Sequence, residues 1–112
     1  IINFGTALIP DHTKISLENY LLHGLPPGGF LTAVLTNNLS ATIYNADTVN
    51  INYIPDIVRW LSTSAPICSY GSHEKIKEWI SDKDGCRKIY ADKLEKEYIW
   101  ESLKGAHREY NV

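Results

Sequence analysis

The stretch HGLPPGGF at residues 23–30 holds the backbone groups of this sequence that are best suited to binding a ligand. A helical pattern ends at Gly24, two prolines prevent its continuation, and two glycines open the next helix. Glycines at a helix start leave backbone N–H groups uncovered, and these groups together with the helix dipole attract anions. We therefore expect Gly28, Gly29 and Phe30 to hold a phosphate, with side-chain contacts from His23 and Thr32. The alternative is a rigid connector between two helices.

A second helix start has a similar chemical character. Around Gly71 the sequence offers a phenol from Tyr70, a hydroxyl from Ser72 and an imidazole from His73. Ser72 is also a typical N-cap residue, because its side-chain oxygen can accept a bond from a free helix amide. If both glycine-bearing helix starts face one cavity, these three residues form the second wall of the same ligand-binding site.

Recognised catalytic motifs are missing from the sequence. There is no Walker loop, nucleophile elbow, Cys-x-x-Cys pair or His-Glu-x-x-His helix. The four histidines are scattered singly, and Cys68 near His73 is the one local pairing of metal-ligand types. Because a metal site needs several converging ligands, we predict no catalytic residue, no metal and no cofactor.

Composition narrows the class of protein further. A chain of 112 residues with 44% hydrophobic residues is long enough for one domain with its own core. The net charge of -2, with acids interleaved among the bases, gives no field for nucleic acid. Two cysteines are too few for a secreted disulfide scaffold, which predicts reduced thiols and a cytoplasmic setting. No apolar run is long enough for a membrane span.

Apolar residues recur at helical spacing along most of the chain, which predicts an all-α protein, a compact bundle of about five helices. Pro55 either begins or kinks the helix that ends near Ser64. The 50–54 segment can also be interpreted as a short strand. The expected organisation is an N-terminal extension over 1–9 that may lie outside the fold, one helical domain over 10–105 and a tail over 106–112.

Aromatic residues are a further signal, with three tryptophans and seven tyrosines. Trp60 and Trp79 fall on apolar stripes, which predicts core packing. Rings that do not fit a core face tend to stack on bases or to anchor protein interfaces. The rings that fit a core face less well are Tyr44, Tyr70, Trp100 and Tyr110.

Three segments carry a resemblance that covers about 9–79: IPDHT at 9–13, the HGLPPGGF stretch at 23–30 and AVLTNNL at 33–39. Together they resemble small bacteriophage accessory (early-gene) proteins of unassigned function. The resemblance implies a viral protein made in the host cytoplasm, which acts by binding a host enzyme or a nucleotide-derived immune signal. A protein of this kind is similar to the signal-sequestering anti-defence proteins of phages, which are small oligomers with phosphate-holding pockets.

Two functions from different classes follow. The first is a non-enzymatic homo-oligomer that captures a small phosphate-bearing ligand, a cyclic nucleotide or an ADP-ribose derivative. The second is a protein-interaction module that inhibits a host or phage enzyme through an aromatic-rich helical face. A third hypothesis is an enzyme that acts on such a nucleotide. Its only candidate acids or bases are His23, His73 and Asp56.

Overall fold

The computed structural model describes the backbone of residues 1–110 and the side chains of residues 1–103. Its regular structure in this part of the chain is entirely helical, which confirms the predicted all-α class. Residues 1–110 form six α-helices rather than about five, and two short 3-10 segments at Asn50–Asn52 and Ile67–Ser69. The six are α1 (Asp11–His23), α2 (Gly29–Leu35), α3 (Leu39–Asn45), α4 (Ile54–Ser64), α5 (His73–Ser81) and α6 (Cys86–Tyr110).

The first helix begins and ends by different means. Pro10 occupies the N-cap position, and no side chain caps α1. Pro10 suits this position because its ring already fixes a helical φ. At the other end Gly24 is left-handed, with φ of 65°, as predicted for a residue that closes a helix.

The sixth helix arises from a break at two asparagines. Asn37 adopts a left-handed conformation (φ 58°), and the Asn38 side chain accepts a hydrogen bond from the Ala41 amide. An asparagine that caps a helix start makes α3 a separate helix and not a continuation of α2. Further along, Pro55 lies in the first turn of α4, so that helix begins there without a kink, and 50–54 forms no strand.

Helices α1, α5 and α6 meet at the side chain of Arg87 in the first turn of α6. Its guanidinium donates to the carbonyl oxygens of Trp79, Ile80 and Leu22 at 3.2, 3.3 and 3.4 Å. The last carbonyls of a helix have no intrahelical partner, so one cation satisfies the ends of α1 and α5 together. This contact fixes where α6 starts relative to the other two helices.

The core is lined by α1, α2, α4 and α5, with Leu17, Tyr20 and Leu35 fully buried. Trp60 and Trp79 are buried in it, as predicted. The 1–9 segment does not lie outside the fold: Ile2 and Ile9 are buried, and the Phe4 ring lies 4.7 Å from the Trp60 ring. Burial of two isoleucine side chains stabilises the packing of this segment against the core, although the segment forms no helix.

The C-terminal helix is longer than the sequence pattern predicted. We expected α6 to end at Gly105 and a tail to follow, but the helix continues to Tyr110. One glycine inside a helix costs only about 1 kcal/mol relative to alanine, which is too little to end a helix of this length. The last two positions of the expected tail, 111–112, lie outside the described residues.

Candidate functional site

Both glycines of the Pro-Gly-Gly turn are exposed. Gly28 occupies the N-cap of α2 and Gly29 is its first residue, with no side chain capping the helix. Beside Gly29 lies Asn45, whose Oδ1 is 3.7 Å from the position a Cβ would take. The Thr32 hydroxyl donates to the Pro27 carbonyl at 3.2 Å, so it stabilises the turn. The described contacts here are those of a helix connector.

The other residues predicted near this turn have different surroundings. His23 is exposed at the last position of α1. Phe30 is half-buried and packs against the hydrophobic core. An aromatic ring anchored in the core fixes the direction in which α2 leaves the turn, and this explains the Phe30 position without a ligand.

The predicted second wall lies at the opposite end of α2. The Gly71 amide donates to the carbonyl of Leu35, the last residue of that helix, whereas Gly28 precedes its first residue. Seven helical residues span about 10 Å. The structure therefore brings Tyr70, Ser72 and His73 together with one another but not with the glycine pair.

Each residue of that second group has a clear local environment. Ser72 accepts a hydrogen bond from the Lys75 amide at 3.1 Å, which confirms it as the N-cap of α5. Tyr70, which we expected off the core, is half-buried and packs against it. His73 is exposed.

A concave surface of the described residues runs beside α6. A groove of about 570 Å³ lies between the first half of that helix, the end of α4 and the N-terminal segment. Its apolar lining residues are Ile2, Trp60, Ala65, Pro66, Ile89, Tyr90 and Leu94, and its polar ones include Lys93 and Glu97. A mainly apolar concavity with a few polar groups is typical of a binding surface.

This groove continues along the helix. A second cavity of about 410 Å³ shares Asn3, Leu94 and Glu97 with the first and reaches Tyr98 and Glu101. From Cys86 to Glu101 the helix rises by about 22 Å. The continuous depression, which we call the α6 groove, therefore has the length of about four turns of a helix.

Tyr90 gives the α6 groove a fixed polar group. Burial, followed by the charges of Glu97 and Glu18, raises the pKa of Tyr90 to about 12. The phenol therefore remains protonated at neutral pH. Its ring packs edge-on against Trp79, with centroids 6.0 Å apart, which holds it in place.

Next to the groove, α6 presents apolar side chains to solvent. Ile89 is 66% exposed and Leu103 is 58% exposed, and both Ile99 and Trp100 are at least half exposed. Ile89 lines the groove as well. Large apolar groups that lie together on a surface mark sites of protein interaction. The sequence indicated this surface only through the poor fit of Trp100 to a core face.

His12 and Asp47 belong to a hydrogen-bond network that joins two parts of the fold. His12 Nε2 lies 3.1 Å from Asp47 Oδ2 and 3.2 Å from Asn50 Nδ2, and Asn50 accepts from the Thr13 hydroxyl. Hydrogen bonds from the Asn50 amide, then that of Val49, and the nearby His12 lower the pKa of Asp47, although desolvation opposes them. This network ties α1 to the connection before α4.

Within residues 1–103, no group of three or more His, Cys, Asp or Glu side chains is placed to hold a metal ion. None of the described helices combines the length and apolar character that crossing a membrane requires. No protein-family model matches the chain, and neither a curated protein nor a solved structure matches it significantly.

Proposed function

We propose that this protein is a non-enzymatic protein-interaction module that acts as a homodimer paired through α6. The observation that carries the proposal is the exposed apolar face of α6 beside an apolar groove in the same molecule. The second half of α6 exposes apolar side chains that an apolar surface could bury. The groove beside the first half exposes apolar side chains that an apolar helix could bury. Two copies related by a two-fold axis would bury both sets at once.

Helix periodicity defines the pairing face. On a helix of 3.6 residues per turn, one face of α6 combines apolar residues with two lysines. In order, its members are Ile89, Lys93, Lys96, Trp100 and Leu103. The aliphatic part of a lysine side chain covers apolar surface, while its ammonium group stays available to a carboxylate or an aromatic ring. The occupant of this face should therefore bring both apolar and acidic or aromatic groups.

A second copy of α6 meets that requirement when the two helices run antiparallel. A two-fold axis between Lys96 and Glu97 sets Lys96 of one copy beside Glu97 of the other. The same axis places Lys93 opposite Trp100 of the second copy, where an ammonium over an indole contributes about 0.5–1 kcal/mol at exposed sites. Leu103 then lies next to Ile89 and Tyr90 of the second copy, at the edge of its groove.

Sedimentation equilibrium on two matched variants tests this proposal. Leu103→Glu adds a carboxylate to the pairing face, whereas Ile43→Glu makes the same kind of change on α3, where the side chain is similarly exposed (52%). We expect the parent and Ile43→Glu to be dimers and Leu103→Glu to be a monomer of 12.7 kDa with unchanged helical content. A monomeric parent, or a Leu103→Glu variant that dimerises as tightly as the parent, would contradict the proposal.

Capture of a small phosphate-bearing ligand at the Pro-Gly-Gly turn stays a prediction, and so does the relation to phage accessory proteins. The uncapped start of α2 is the feature that supports it. Calorimetry of the parent against cyclic nucleotides and ADP-ribose derivatives checks it. Heat of binding that is lost in Gly29→Ala would favour capture over the interaction function, because that substitution leaves α6 unchanged.

A further inference from the structure

Cys68 and Cys86 are distant in sequence but neighbours in the fold. Both line the α6 groove, and both also line a smaller cavity of about 110 Å³ together with Trp79 and Asp84. Residues shared by two cavities lie between them, so both cysteines belong to the same small region of the fold. Cys68 is half-buried on the 3-10 segment Ile67–Ser69, and Cys86 is exposed as the first residue of α6.

The two side chains interact with each other. A hydrogen bond with the Cys68 thiol and the charge of Cys68 raise the pKa of Cys86, and burial, Asp84 and Asp82 raise it further. The described residues place no group of three or more His, Cys, Asp or Glu side chains here to hold a metal ion, and both Asp82 oxygens accept the amides of Arg87 and Lys88 at 2.9 and 3.2 Å.

We propose that Cys68 and Cys86 form a reversible redox modification site that reacts with low-molecular-weight disulfides such as glutathione disulfide. One thiolate attacks the disulfide, forms a mixed disulfide and releases one glutathione as its thiol. The neighbouring cysteine then attacks the protein sulfur of that mixed disulfide, loses its proton to solvent and releases the second glutathione. Two protein thiols are oxidised to one intramolecular disulfide while one glutathione disulfide is reduced to two thiols.

The bond would covalently join two parts of the fold that are distant in sequence. It would tie the connection after α4 to the first turn of α6, at one end of the α6 groove. A disulfide that closes a loop stabilises a protein mainly by restricting the unfolded chain. The oxidised protein should therefore melt at a higher temperature. The inference does not depend on dimer formation through α6.

Mass spectrometry and thermal melting of the full chain test the proposal. The reduced protein is treated with glutathione disulfide at a pH of about 8.5, near the ordinary thiol pKa. Cys68→Ser and Cys86→Ser, each with one thiol left, are the controls. The parent should lose two hydrogen atoms, retain no glutathione and melt several degrees higher, and dithiothreitol should reverse all of this. Each single variant should retain one glutathione as a mixed disulfide and show no such rise.

Three results would overturn the proposal. A parent that accumulates the mixed disulfide would show that the second thiol cannot reach the first. A parent that stays fully reduced under conditions that modify the single variants would show that the pair is inert. Disulfides found only between molecules on a non-reducing gel would show that the two cysteines do not pair within one chain.

Discussion

Trp79 joins the three helices that set the position of the α6 groove. It is fully buried on α5, and its ring lies 6.4 Å from that of Tyr20 on α1 and 6.0 Å from that of Tyr90 on α6. Its indole N–H donates to the Tyr20 carbonyl at 3.2 Å. Replacing Trp79 with alanine therefore removes packing on three sides and one hydrogen bond.

The expected loss of stability from Trp79→Ala is about 3–5 kcal/mol, the usual cost of emptying a large buried aromatic site. The lost hydrogen bond adds little, because the Tyr20 carbonyl also accepts the Gly24 amide at 3.1 Å. Domains of this size unfold with about 5–15 kcal/mol, so the variant should still be folded in water. Trp79→Phe keeps a ring in the site and should lose less.

Urea unfolding followed by far-UV circular dichroism measures these differences. The matched control is Tyr44→Ala, since Tyr44 is 89% exposed and its removal should change stability by no more than about 0.5 kcal/mol. A loss below about 1 kcal/mol for Trp79→Ala, or one equal to that of the control, would refute the reasoning that this ring organises α1, α5 and α6.

Two further predictions concern glycine and pH. Gly24→Ala should destabilise by about 1–2 kcal/mol, because φ is +65° and a Cβ would lie 2.7 Å from the Arg87 guanidinium, whereas Gly29→Ala meets only ordinary contacts and should be neutral in the same urea titration. Equal effects would contradict this. Because the folded pKa of Asp47 lies below its unfolded value, its stabilising contribution is complete above the unfolded pKa and is lost as pH falls through the folded one. The difference between the unfolding midpoints at pH 6 and at a pH of about 3 should therefore be smaller in Asp47→Asn than in the parent. An equal difference in the two proteins would contradict this prediction.

Local signals in the sequence predicted local structure well. Ser72 as the cap of α5 and Gly24 at the end of α1 depend on side-chain and backbone properties of a few adjacent residues. The apolar stripes that placed Trp60 and Trp79 in the core are local as well. For the same reason the all-α class could be recognised without any tertiary information.

Features that depend on distant contacts could not be predicted. Nothing near Ile2 in the sequence shows that it packs in the core, because the core residues around it come from helices distant in sequence. The two halves of the expected ligand site look alike in sequence, yet the Gly71–Leu35 hydrogen bond places one of them at the far end of α2. The α6 groove and the Cys68–Cys86 pair form only when α6 packs against the rest of the fold. No sequence pattern within α6 or within the segments that it contacts predicts them.

Crosslinking through a single cysteine at position 96 tests the central claim, antiparallel pairing through α6, most directly. The parent chain for this experiment carries Cys68→Ser and Cys86→Ser, and Lys96→Cys places one thiol next to the proposed two-fold axis. Glu95→Cys is the matched control, because the adjacent position turns about 100° away around the helix. Under mild oxidation we predict a covalent dimer with Lys96→Cys and little with Glu95→Cys. Equal crosslinking at both positions, or none at position 96, would contradict the account.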